Sequence, residues 1–173
     1  MLDLPYPSVL SGPPRPSRIL TPKGFSRHHG EERQVVPGGG AALVEIRTGD
    51  RLVLVNDEGG QPVELVAATP DGRTDAALLG QVANAPAEGV TAMLAADPAL
   101  HRLRQGLERR GIDPATARAL RLFGPDTVAG ARAELVVQAD GWLLVAAPGL
   151  PMAPEAQDTA TPITLLITRA APR

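Results

Sequence analysis

Imidazole beside carboxylate is metal-donor chemistry, and His28 and His29 stand next to Glu31 and Glu32. Neighbours in an extended segment point in opposite directions, so this pair would chelate one ion only across a turn. The third histidine, His101, falls on the polar face of a leucine-spaced helix, where contact with solvent accounts for it. No metal ligand is assigned on these grounds, and a metal-dependent hydrolase using His28, His29 and a body carboxylate is kept only as a third reading. A second group, Asn56, Gln61 and Glu64, clusters around one turn. Gln61 and Glu64 can frame a polar pocket and Asn56 can line it, which makes the three the candidate ligand-binding residues. Asn56 and Gln61 can equally well do nothing more than close the turn. Arg118, Arg121, Arg132 and Arg169 can clamp an anion or remain ordinary surface charge.

The residue inventory excludes more than it proposes. There is no cysteine, and every serine (Ser8, Ser11, Ser17, Ser26) lies near the N-terminus, so the body has neither a Ser-His-Asp nor a Cys-His arrangement. Lys23 is the sole lysine, which removes a Schiff-base amine and a P-loop lysine from the body. Gly38-Gly39-Gly40 precedes a strand instead of joining a strand to a helix, so it is not a phosphate cradle. No catalytic residue is assigned. Asp71, Asp97, Asp113 and Asp140 all have turn or cap positions that explain them.

The elements that would position these groups follow from periodicity. From Ala41 to Ala68 the pattern predicts three strands. Ala42, Val44 and Ile46 alternate with Glu45 and Arg47, Arg51–Val55 is apolar on both faces, and Val63, Leu65 and Ala67 alternate with an outward Glu64. Thr48-Gly49-Asp50 and Asp57-Glu58-Gly59-Gly60 are read as hairpin turns supplying positive φ. Short helices are expected over Asp75–Ala83 and Glu88–Ala95, and a third from the Asp97-Pro98 cap to Gly111 with Leu100, Leu103 and Leu107 inward. A fourth is expected from Asp113-Pro114 to Gly124, carrying Ala119, Leu120 and Phe123 inward. Strands return at Ala131 and, through an Asp140-Gly141 hairpin, at Trp142. After a proline-rich loop over Pro148–Pro162 comes a last strand with Ile163, Leu165 and Ile167 on one face. The expected fold is α+β, a curled antiparallel sheet or partial β-barrel with a helical insertion between the third and fourth strands.

Residues 1–36 read as an extended, proline-rich arm lying on the body or on a partner, and 37–173 as a single α+β domain. A net charge of -2 argues against nucleic acid as partner. No apolar run approaches the roughly 18 residues of a membrane span, and the N-terminus lacks the pattern of a signal peptide. With zero cysteine, a cytoplasmic, bacterial-type protein is expected.

At Thr48-Gly49-Asp50-Arg51-Leu52 and on to Glu58-Gly59-Gly60-Gln61-Pro62-Val63-Glu64 the chain resembles the urea-carboxylase-associated domain family. That family has a Gly-Asp-Arg-Leu turn, then a Gly-x-Gln step closing on an acidic residue. Gly59 and Gln61 match, while Glu64 and Asn56 stand where the family usually has aspartates. Thr161-Pro162-Ile163 is similar to its closing strand. The family's cysteine- and histidine-rich metal site has no counterpart in the helical middle. From Ala85-Pro86 through Arg121-Leu122-Phe123-Gly124-Pro125 to Ala147-Pro148-Gly149 the chain looks like the N-terminal region of long aminomethyltransferase and trimethylamine-oxide demethylase-type proteins. The resemblance implies a noncatalytic structural or assembly domain in one-carbon metabolism. A folate domain would lie beyond Arg173, and tetrahydrofolate and zinc would belong to the parent assembly rather than to this chain. It also implies a downstream domain or partner subunit met by the N-terminal arm, with homo-oligomerisation left open. The alternative is a free-standing module binding a urea-, guanidinium- or methylamine-like compound.

Overall fold

The computed structural model describes residues 31–149 and 159–171. His28, His29, most of the expected arm and much of the Pro148–Pro162 loop lie outside the described residues. The last six residues of the expected arm form β1 (Glu31–Val36), followed by β2 (Ala41–Ile46), β3 (Arg51–Asn56) and β4 (Val63–Ala68). The middle holds β5 (Ala85–Pro86), α1 (Glu88–Ala96), α2 (His101–Glu108) and β6 (Arg118–Leu122). The chain then closes with β7 (Ala131–Val136), β8 (Gly141–Ala146) and β9 (Ile163–Thr168).

The strands form two antiparallel sheets, one ordered β1-β9-β3-β7 and the other β2-β8-β4-β6-β5. The chain is therefore mostly β, and its sheets do not curl into a closed barrel. The inward rows of both sheets, including Ile46, Leu52, Leu54, Leu65, Leu143, Val145, Leu165 and Ile167, make one apolar core between them. On the far side of the second sheet, Val66, Ala68, Ala119, Leu144 and Ala146 meet Val90, Met93 and Leu94 of α1 and Leu107 of α2 in a second core. This explains β4, which is buried at all six positions. Its odd residues face the other sheet and its even residues face the helices. Glu64, expected to point outward, thus lies under the helical layer.

The expected hairpins do not form. β2 pairs with β8, β3 with β7 and β9, and β4 with β6 and β8, so every expected hairpin turn carries the chain from one sheet to the other. The glycines do supply positive φ, 86° at Gly49 and 82° at Gly59. A turn permits reversal but does not choose the partner, and here burial of two opposed faces chooses it. The Gly49 amide donates to the Val137 carbonyl at 2.8 Å, and the Val137 amide donates to the Asp50 carbonyl at 2.9 Å, fixing that turn to the end of β7. Gly141 serves another purpose than turn formation: a Cβ there would sit 2.2 Å from the Ala68 carbonyl oxygen and 2.7 Å from Leu78 Cδ2.

The helical insertion is present but shorter than expected. Asp75 caps a single 3-10 turn over Ala76–Leu79, and Asp97 caps another that runs into α2. The helix expected after Asp113-Pro114 is absent: Asp113 accepts the Ala115 amide in a local turn, and the chain enters β6. Arg-Ala-Leu-Arg-Leu has good helix propensity, but pairing with β4 and the burial of Ala119 and Leu120 override it.

Candidate functional site

β4 and β6 place Glu64 directly opposite Arg121. The Arg121 Nη2 donates to Glu64 Oε1 at 2.6 Å, and the Glu64 side chain is 1% exposed against 43% for Arg121. The same carboxylate receives the Val90 amide at 2.9 Å on Oε2 and the Gly89 amide at 3.3 Å on Oε1. It therefore acts as the N-terminal cap of α1, whose own cap residue, Ala87, has no side-chain acceptor. Gly89 is needed for this approach, since a Cβ on it would meet Pro148 Cβ at 2.7 Å and Glu64 Oε1 at 3.0 Å. One carboxylate joins the sheet, the start of the helix and an arginine.

Beside this joint opens a cleft of about 670 Å³ lined by Pro62, Glu64, Glu88, Arg121, Phe123 and Pro148, among others. Phe123 takes φ of 62°, a left-handed conformation rare outside glycine. Of the three candidate ligand-binding residues, Glu64 alone lines the cleft. Asn56 donates from Nδ2 to the Gln61 carbonyl at 2.9 Å and accepts the Gly59 amide at 3.0 Å. Gln61 donates to the Pro62 and Pro148 carbonyls, both at 2.8 Å, and accepts the Thr161 amide at 2.9 Å. Both amides are buried and spent on backbone groups, binding the turn between β3 and β4 to the chain on either side of β9's approach.

A second charged group lies at the opposite end of the sheets. Asp50 is buried and accepts from the Arg47 amide at 3.0 Å, the Ala170 amide at 3.0 Å and Arg169 Nη1 at 2.7 Å. Arg169 turns its other edge to Glu32 in a two-pronged pair at 2.9 and 3.0 Å. That hydrogen bond is the main reason the Glu32 carboxyl titrates below its ordinary value, and the same contacts raise Arg169 further above neutrality. Nearby, the Thr48 amide and then its hydroxyl lower the Asp140 carboxyl. Arg121 and Arg169 are thus both committed to carboxylates of this chain, while Arg118 and Arg132 make no salt bridge among the described residues. All four arginines stand out in the sequence, but the partners of Arg121 and Arg169 depend on the strand pairing.

Among the described residues no three His, Cys, Asp or Glu side chains gather where they could hold a metal ion. No helix among them is long and apolar enough to cross a membrane. Three donors converge on Glu64, which ties β4, β6 and the start of α1 together.

Setting aside the two-residue β5 at the edge of the five-stranded sheet, the strands run first-ninth-third-seventh and second-eighth-fourth-sixth, which is the jelly-roll arrangement, here with a helical layer over one face. No family model matches the chain. It is 47% identical over 171 residues to trimethylamine-oxide aldolase of Ruegeria pomeroyi. The match takes in 98% of this chain and spans 22% of the length of that curated relative. The chain is thus a small domain related to one segment of a larger enzyme.

Proposed function

We propose that this chain is a noncatalytic structural or assembly domain of an enzyme that metabolises amine oxides, of the folate-linked aminomethyltransferase or demethylase type. The observation that carries the reading is the collinear match of nearly the whole domain to about a fifth of trimethylamine-oxide aldolase. The internal use of its buried charges supports it, because Glu64 and Asp50 tie elements of the fold together. Zinc is assigned to the parent assembly rather than to this chain. Tetrahydrofolate, likewise, is assigned to another part of the assembly. The relation to the urea-carboxylase-associated family, a cytoplasmic location and the division into an arm (1–36) and one domain (37–173) belong to the same proposal.

The test is replacement. The purified chain alone should leave trimethylamine oxide unchanged. Substituting it for the matching segment of the Ruegeria enzyme should give a soluble chimera that still acts on that compound. Turnover by the isolated chain, or a well-folded chimera with no activity, would overturn the assignment.

A further inference from the structure

We propose that the cleft beside the start of α1 binds a small zwitterion, a compact apolar molecule carrying one carboxylate and one ammonium. Its volume, about 670 Å³, suits a small molecule, and Pro62, Phe123, Pro125 and Pro148 give it apolar walls. Two charged side chains with hydrogen-bonding capacity left also line it: Arg121 and Glu88. Arg121 commits Nη2 to Glu64, and among the described residues its Nε and Nη1 make no hydrogen bond. Nη2 keeps a second N–H, and together with the Nε–H or Nη1–H beside it this forms the planar fork that receives a carboxylate. Glu64 is buried and already accepts from Arg121 and two backbone amides, so its part is to hold the guanidinium in place. The Gly89 and Val90 amides are consumed by Glu64, so the helix start contributes no anion site.

Glu88, the first residue of α1, is exposed and makes no hydrogen bond or salt bridge among the described residues. Its carboxylate repels a simple anion from the cleft and accepts from an ammonium. Arg121 discriminates in the opposite sense against a simple cation. A molecule bearing both charges satisfies both walls, which is specificity by opposed repulsions. The strained Phe123 backbone keeps this wall in a conformation that only its surroundings enforce.

The experiment is an NMR titration of the full 173-residue chain with L-valine, using isovalerate and valine methyl ester as the anion-only and cation-only controls. Valine should shift the Gly89, Val90 and Gly124 amides and the Arg121 Nε–H saturably at low millimolar concentration. The controls should bind roughly tenfold or more weakly. Glu88→Gln alters an exposed, unbonded side chain and so leaves the fold intact; it should weaken valine about three- to tenfold, the scale of one solvent-accessible ion pair in a cleft. Arg121→Gln should abolish the response. No saturable shift with valine, equal binding of either control, or unchanged affinity in Glu88→Gln would each overturn the proposal.

Discussion

Removing the Glu64 carboxylate tests the joint between sheet and helices. In Glu64→Ala the Gly89 and Val90 amides lose a charged acceptor under a packed layer, and Arg121 loses its partner. Hydrogen bonds to charged groups contribute about 1.5–3 kcal/mol each, and the Gly89 bond at 3.3 Å is long. Arg121 is 43% exposed, so water compensates much of its loss. The sum, mostly the two lost amide bonds, is a destabilisation of about 3–5 kcal/mol. Arg121→Met leaves a buried carboxylate with no countercharge, held only by its two amide donors, and should cost about 3–5 kcal/mol. Urea unfolding followed by circular dichroism gives both values. A Glu64→Gln/Arg121→Met double-mutant cycle should show a coupling of at least about 0.5 kcal/mol. A Glu64→Ala cost under about 1 kcal/mol, or a cycle with no coupling, would refute the account of Glu64 as a shared anchor.

Other perturbations follow from the same packing. Gly141→Ala drives a Cβ to 2.2 Å from the Ala68 carbonyl and should lower stability by about 1–3 kcal/mol, read as a fall in the thermal midpoint. The Glu32 carboxyl has its pKa lowered in the native state, chiefly by the hydrogen bond from Arg169, so its contribution is present above the unfolded-state value of 4.5 and lost as pH falls through the lower native value. Wild type should therefore exceed Glu32→Gln in urea midpoint at pH 7, and the two should converge only as pH falls below 4.5 and through the lower native value. The Arg110 guanidinium lies 4.0 Å from the centre of the Trp142 ring. Arg110→Ala should change the emission of this lone tryptophan and cost about 0.5–2 kcal/mol, which fluorescence-monitored unfolding reads directly.

The sequence reveals the strands well and their partners poorly. Period-two alternation marks β2, β4, β7 and β9, and the inward rows Ala42-Val44-Ile46 and Ile163-Leu165-Ile167 pack where the pattern puts them. Asp75 and Asp97 cap the elements they precede. Alternation carries no information about which sheet a strand joins, so Asp-Gly and Gly-Gly turns suggested hairpins that two facing sheets replace. β6 escaped notice because Ala, Leu and Arg favour helix when no neighbour is in view, and with it went the Glu64–Arg121 pair. Asn56 and Gln61 were legible as polar residues at a turn. That the Gln61 amide would be spent on the Pro148 and Thr161 backbone depends on chain 87 and 100 residues away.

The interleaving of the two sheets also bears on how the molecule is made. Because β1 to β4, and again β6 to β9, alternate between the two sheets, no tight hairpin ladder forms among them to nucleate the rest. Contacts are dominated by distant pairs, a topology that folds in milliseconds to seconds instead of microseconds. β9 lies between β1 and β3, so one sheet stays split until Ile163–Thr168 has emerged from the ribosome. Until then Leu52 and Leu54 lack one of their walls, and the nascent chain exposes the apolar row that the finished domain conceals.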